Sequence, residues 1–156
     1  MRKLKLYLET SVFNFVFAED SPDERDVTLK FFDCLNQYEP YISEVVIAEI
    51  NRTPKEEKKQ QLFNLISKYN LEQLPFDEPS KVLANRYIQE GIIPQSYQED
   101  AFHIAIASVN NLDALISWNF AHIVKLKTKR EVVGINAIMG YKEIEIYSPW
   151  EVVENV

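Results

Sequence analysis

The sequence is poor in cysteine and glycine. Its 156 residues include one cysteine, Cys34, and three glycines. A single cysteine excludes an internal disulfide framework and a zinc site built from several cysteines. The glycines form neither a G-x-G-x-x-G fingerprint nor a phosphate-binding loop, so nucleotide binding through such loops is not predicted. No apolar run approaches the roughly 20 residues of a membrane span, and the first apolar residues alternate with polar ones instead of forming a signal peptide. We therefore expect a cytoplasmic protein without a membrane partner.

Basic residues are outnumbered. The chain has 24 acidic and 17 basic residues, which gives a net charge of −7. This balance argues against sequence-independent nucleic-acid binding through a broad basic face. It is compatible with a local basic patch beside an acidic, metal-binding cleft, because such acids themselves make the net charge negative. Length and composition, with 46% hydrophobic and 26% charged residues, predict one globular domain over residues 1–156.

Segments with strand and helix patterns alternate along the chain. Alternating leucines predict a first strand within residues 1–12, and further strands are predicted at 41–42, 71–76, 112–117 and 142–147. Helices are predicted at 23–37, 43–50, 54–69, 78–89, 97–109 and 130–139, with a last helical turn from Pro149. This order predicts an α/β fold with a parallel sheet and helices on both faces.

Polar residues interrupt four of these apolar elements. Glu9 ends the first strand, Glu49 lies in the helix 43–50, Asp100 lies in the first turn of the helix 97–109, and Asn119 follows the strand 112–117. Polar groups in such places cost free energy unless they are paired. The carboxyl ends of parallel strands also form the binding crevice of open α/β sheets. Carboxylates without a cysteine or histidine pair favour hard cations, Mg²⁺ or Mn²⁺, over Zn²⁺.

Each position also has a purely structural interpretation. Glu9 and its polar neighbours are able to cap the following helix. Glu49 is able to face solvent and pair with Arg52, and Asp100 is able to stabilise a helix dipole. His103 shares a helix face with Asp100 and is able to hydrogen-bond it, so we expect an auxiliary role for this histidine. No nucleophilic triad is predicted.

Four short motifs together resemble the PIN domain, and in particular the VapC-like PIN proteins of prokaryotes. The motifs occur in the order and spacing of that family, at residues 7–12, 43–50, 98–105 and 115–122. The resemblance implies a three-layer α/β/α sandwich with a central, mainly parallel sheet and an acidic site for Mg²⁺ or Mn²⁺. It also implies a ribonuclease that cleaves single-stranded RNA, often as the toxin of a toxin–antitoxin pair. Such a protein commonly forms a homodimer and binds a cognate antitoxin.

The resemblance assigns roles residue by residue. Glu9, Glu49 and Asp100 take the places of the metal-binding acids, and Asn119 completes the catalytic set at a position where many members carry a fourth acid. Small hydroxyl residues of the family correspond to Thr10, Ser11 and Ser117. Two departures stand out, because the first acid is usually aspartate and Asn119 is neutral.

Four basic residues follow the Asn119 turn, namely Lys125, Lys127, Lys129 and Arg130. They are candidates for contacts with substrate phosphates, or else the solvated start of a helix. The function is likewise open between a ribonuclease and a degenerate PIN-fold module that binds RNA or protein without catalysis. A third alternative is a metal-dependent phosphoryl hydrolase that acts on DNA ends or small phosphates.

Overall fold

The central sheet is parallel throughout. A computed structural model describes residues 2–154; Met1, Asn155 and Val156, which belong to the predicted domain, lie outside the described residues. The strands follow the order β3-β2-β1-β4-β5 in the sheet. Their bounds are β1 Lys5–Leu8, β2 Glu39–Ser43, β3 Glu72–Leu74, β4 Ala114–Ile116 and β5 Glu145–Tyr147.

The order in which the chain adds strands to the sheet changes side between β1 and β4. The chain runs from β1 outward to β2 and β3, and then returns to β4 on the other side of β1 and continues to β5. Leu8 at the end of β1 pairs with Ile116 at the end of β4. The switch point of such a sheet leaves a crevice at the carboxyl ends of the two strands. The residues that follow β1 and β4 therefore meet at this crevice.

Helices connect the strands and pack in two groups. Helix α2 contacts α8, and α1 contacts α4. Helix α5 packs on α6 and α7. Two groups of helices on one parallel sheet agree with the predicted three-layer α/β/α sandwich. The bounds are α1 Thr10–Asn14, α2 Pro22–Asp33, α3 Glu44–Asn51, α4 Glu56–Lys68, α5 Glu78–Gln89, α6 Gln98–Val109, α7 Leu126–Met139 and α8 Pro149–Glu154. Within residues 2–154, no helix is both long and apolar enough to span a membrane.

Strand β1 is buried on both faces, although its leucines alternate with polar residues in the sequence. Leu6, Tyr7 and Leu8 are all buried, whereas Leu4 lies before the strand and is 49% exposed. The reason is the central position of β1 in a parallel sheet, whose two faces are both covered by helices. The polar Tyr7 is therefore a core residue and needs a hydrogen-bond partner inside the protein.

Helix ends agree with the sequence where a cap is present. Helix α5 has its predicted bounds, because the Asp77 side chain accepts from the backbone N–H of Ser80 and Gly91 follows with φ of +74°. Helix α7 begins at Leu126 and not at the predicted residue 130. Its N-cap residue, Lys125, offers no side-chain cap, and the exposed basic first turn has no apolar period to detect. Helix α1 begins directly after Glu9, where the capping interpretation of Glu9 places a helix, although no bounds were predicted for it.

Candidate metal centre

Glu9 lies at the switch point, directly after β1. Its carboxylate accepts hydrogen bonds from the hydroxyl groups of Ser11 and Ser117, each at 2.6 Å, and from the backbone N–H of Ser11 at 3.2 Å. Only 5% of the residue is exposed. Ser11 in helix α1 and Ser117 after β4 thus hold the Glu9 carboxylate in one position, although glutamate is longer than the aspartate usual at this place in the PIN motif. Glu9 caps helix α1, so the capping interpretation is correct, and the same carboxylate also faces the other acids.

Glu49 reaches the same place from helix α3. Its Oε1 accepts from the Thr10 hydroxyl at 2.7 Å and lies 2.5 Å from Nε2 of His103. The alternative pairing with Arg52 is wrong, because that guanidinium binds Glu99 at 2.6–2.7 Å. The expected bond between His103 and Asp100 is also not made, since both ring nitrogens of His103 have other partners. His103 therefore holds Glu49 and not Asp100.

A buried chain of hydrogen bonds fixes His103 from below. Nδ1 of His103 lies 2.6 Å from the Tyr7 hydroxyl, which lies 2.7 Å from the hydroxyl of Ser43. Ser43 is the predicted N-cap of α3 and accepts from the N–H of Val45 at 3.1 Å. A carboxylate only accepts hydrogen bonds, so Nε2 of His103 carries the proton that it shares with Glu49. Tyr7 was not singled out as a site residue in the sequence; its one signal is a tyrosine between two leucines, two residues before the acid that ends the strand.

The pair of Glu49 and His103 is stabilised in its charged form. Burial by itself acts against charge on both side chains, but their mutual hydrogen bond and opposite charge outweigh it. The pKa of His103 is therefore raised and the pKa of Glu49 is lowered. A protonated His103 offsets one of the negative charges at the switch point.

Asp100 has the opposite electrostatic environment. Burial and then the negative charge of Glu9 raise its pKa to about 6, although His103 and a hydrogen bond from the side chain of Asn119 act against this shift. Its Oδ2 is buried and has no hydrogen-bond partner among the described residues. An orphaned carboxylate oxygen beside other acids is a site for a cation.

The donor atoms fit a divalent cation. Glu9, Glu49 and His103 each place one ligand-type atom within 4.8 Å of the others. Because Nε2 of His103 is protonated toward Glu49, the carboxylates of Glu9 and Glu49 are the available ligands of this group. Asn119 anchors the turn after β4, since its Oδ1 accepts from the N–H of His122 at 3.0 Å and its own N–H donates to Ser117. An oxygen donor set of this kind suits Mg²⁺ or Mn²⁺.

Glu49 and Asp100, but not the more deeply buried Glu9, line a cavity of about 420 Å³ together with Tyr97 and Glu99. A larger cavity of about 810 Å³ lies at the opposite edge of the sheet, between β4, β5 and α8. Five acids line this larger cavity, namely Asp113, Glu143, Glu145, Glu151 and Glu154, and Asp113 is paired with Arg2 and Lys142. The smaller cavity is the candidate functional site, because it is lined by Asp100, whose buried carboxylate oxygen has no hydrogen-bond partner among the described residues.

The basic residues after the Asn119 turn spread over the start of α7. None of them is part of the lining of the acidic cavity. The Lys127 ammonium donates to the carbonyl of Gly91 at 3.2 Å, and the Lys129 ammonium lies 5.9 Å from the centre of the Tyr147 ring. A role for Lys125, Lys127, Lys129 and Arg130 in substrate binding stays a prediction.

Solved structures share this architecture. Comparison of the sequence with protein-family models and with curated protein sequences gave no match. The structure is similar to VapBC2 from Rickettsia felis bound to a DNA fragment from its promoter, with a TM-score of 0.57, 16% identity, and coverage of 93% of this chain and 98% of that chain. It is also similar to VapBC-5 from Mycobacterium tuberculosis, with a TM-score of 0.49, 18% identity, and coverage of 92% and 98%. Only the first superposition is good enough to support a shared fold. The chain therefore has the fold of that VapBC2 structure, the PIN-like α/β/α sandwich that its four motifs predict.

Proposed function

We propose that this chain is an endoribonuclease that cleaves single-stranded RNA and depends on Mg²⁺ or Mn²⁺. One observation carries the proposal. Glu9 and Glu49 lie close together at the switch point of a PIN-like sheet, their negative charges raise the pKa of the partly buried Asp100, and one buried oxygen of Asp100 has no hydrogen-bond donor among the described residues. A divalent cation supplies the positive charge that this cluster lacks.

The proposed roles follow from the contacts. Glu9, Glu49 and Asp100 would hold the cation, which supplies a Lewis acid for the phosphodiester and lowers the pKa of a bound water. Ser11 and Ser117 hold the Glu9 carboxylate.

Orientation of the second acid depends on two further residues. Thr10 and His103 both bond Oε1 of Glu49, which leaves the other oxygen to face a cation. Partners that orient a ligand in this way influence metal affinity and activity strongly, typically by about 10–100-fold. Asn119 places its turn beside Asp100, and we assign it an auxiliary role in the catalytic set.

We also propose a cognate antitoxin as the physiological partner and a homodimer as the assembly. The motif resemblance and the fold shared with VapBC2 support this proposal. Co-expression with the product of a small neighbouring gene tests it, because an antitoxin co-purifies with the chain and suppresses cleavage.

A cleavage assay tests the proposed activity. The purified chain is incubated with structured and unstructured RNAs, in Mn²⁺, in Mg²⁺ and with EDTA, beside Asp100→Asn. We expect cleavage of unstructured RNA that requires metal and falls more than about 100-fold in the variant, because one ligand of the cation is lost. Glu56→Gln is the matched control, since that side chain is 83% exposed and lies outside the cluster.

Three results separate the alternatives. Metal-dependent cleavage that Asp100→Asn retains would remove this residue from the site. Binding of RNA or protein without cleavage in either metal identifies a degenerate module. Hydrolysis confined to DNA ends or small phosphates identifies a different phosphoryl hydrolase.

A further inference from the structure

An exposed aromatic residue borders the acidic cavity. Tyr97 ends the short 3-10 helix Gln95–Tyr97 and directly precedes α6, the helix that carries Asp100. It lines the same cavity as Glu49 and Asp100, and 53% of its surface is open to solvent. A large apolar ring in this position is not needed by the core.

The ring of Tyr97 rests on a second ring. Its centroid lies 4.2 Å from that of His122, with an angle of 33° between the two planes. His122 is itself fixed by its backbone, because its N–H donates to the Asn119 side chain at 3.0 Å and its carbonyl accepts from Thr128 at 2.7 Å. Thr128 is fully buried. The support behind Tyr97 is therefore rigid and connected to the metal centre through Asn119.

The charges around Tyr97 decide what it can bind. Three acids line its cavity: Glu49, which is paired with His103, Glu99, which is paired with Arg52, and Asp100, which has no salt bridge among the described residues. A phosphate alone is repelled here unless a cation intervenes, but stacking on a neutral base does not depend on that charge. Only an unpaired nucleotide offers its base face to such a ring, since the bases of a duplex are stacked on each other.

We propose that Tyr97, supported by His122, is a stacking platform for an unpaired base of the RNA substrate next to the scissile phosphate. The inference rests on the proposed ribonuclease function and adds the residue that selects single strands. Tyrosine suits the role because it presents a rigid face at low cost in conformational entropy.

Kinetics with an oligouridylate test the platform. Tyr97→Ala is expected to raise KM about tenfold with little change in kcat, which is within the range for loss of one base stack. Tyr97→Phe is expected to keep the KM of the unaltered chain, because the ring is retained. Tyr97→Leu keeps apolar bulk without an aromatic face and is expected to behave like the alanine variant. Val82→Ala, at a residue 48% exposed on α5, is the control.

A chain of abasic ribose phosphates, used as a competitive inhibitor, isolates the base. Its inhibition constant is expected to be equal for the unaltered chain and Tyr97→Ala. An unchanged KM in Tyr97→Ala and Tyr97→Leu would overturn the platform while the ribonuclease function stands. An equal weakening of the abasic inhibitor would also overturn it, because the loss would then not involve a base. Absence of cleavage by the unaltered chain in both metals overturns the proposed function and the platform together.

Discussion

Asp113 and Asp100, at opposite edges of the sheet, have opposite electrostatic environments: the pKa of Asp113 is lowered and the pKa of Asp100 is raised. At the amino edge, Asp113 directly precedes β4 and binds both terminal nitrogens of Arg2, the Lys142 ammonium and the backbone N–H of Lys5, at 2.7–3.1 Å. The hydrogen bond from Arg2 is the main reason that the pKa of Asp113 lies well below its usual range.

At the carboxyl edge the acids outnumber the cations that contact them. His103 shares its proton with Glu49, while Asp100 has a pKa raised to about 6 and a buried oxygen with no hydrogen-bond partner in the described part of the chain. The same fold thus surrounds Asp113 with basic partners at one edge and places the interacting acids Glu9, Glu49 and Asp100 at the other, where His103 is the basic partner of Glu49. A charge excess that lowers stability is expected where a function requires it. The comparison therefore favours the carboxyl edge as the candidate cation site.

Removal of the His103 side chain should cause the largest loss of folding stability at the carboxyl edge. In His103→Leu, the Tyr7 hydroxyl and the Glu49 carboxylate lose a buried partner, so we expect a loss of about 3 kcal/mol in the free energy of unfolding. Urea unfolding measures this loss. His103→Gln, which retains a donor, should lose less; an equal loss in both variants would mean that the packing of the ring matters and the hydrogen bonds do not.

The stability that Asp113 contributes at the amino edge should depend on pH. Because the folded pKa of Asp113 is lowered, its contribution is present above the unfolded pKa of about 3.9 and is lost as the pH falls toward the folded value. We expect Asp113→Asn to lower the free energy of unfolding by about 1 kcal/mol at pH 7, a figure reduced for solvent screening. The difference from the unaltered chain should begin to decrease as the pH falls below about 3.9 and should disappear only when the pH has fallen through the lowered folded pKa. A difference that is constant with pH would show that the charge is not responsible.

An acid added at position 119 should lower the stability of the metal-free protein only slightly. In Asn119→Asp, the new carboxylate still accepts from the N–H of His122 but lies beside Asp100. We expect a loss of about 0.5 kcal/mol without metal, together with tighter binding of Mn²⁺ in a calorimetric titration. Asn64→Asp on the exposed face of α4 is the charge-matched control. Unchanged Mn²⁺ affinity would place position 119 outside the metal centre.

Sequence patterns predicted the order of elements and the helix that has clear caps. Helix α5 was predicted at its observed bounds because Asp77 and Gly91 act locally. The start of α7 was missed because Lys125 and the basic residues after it carry neither a cap nor an apolar period. Local signals therefore predict an element's existence better than its ends.

The residues of the candidate site also divide into those that a local sequence pattern predicts and those that it does not. Glu9, Glu49 and Asp100 were predicted because polar residues interrupt apolar elements and match known motifs. The contact of His103 with Tyr7 joins residues 96 positions apart, so no local pattern contains it. The pairing of Arg52 with Glu99 and not with Glu49 likewise depends on how α3 and α6 pack. Tertiary contacts decide these partners.

Metal-dependent stability of Asp100→Asn tests the central claim most directly. The raised pKa of Asp100 means that its charged form destabilises the metal-free fold at pH 7. In EDTA we therefore expect the variant to be more stable than the unaltered chain by about 1 kcal/mol, a figure that allows for partial solvent screening. With Mn²⁺ the unaltered chain should gain stability and overtake the variant, which should gain little. A variant that is less stable in EDTA, or an equal gain for both proteins with Mn²⁺, would contradict the account.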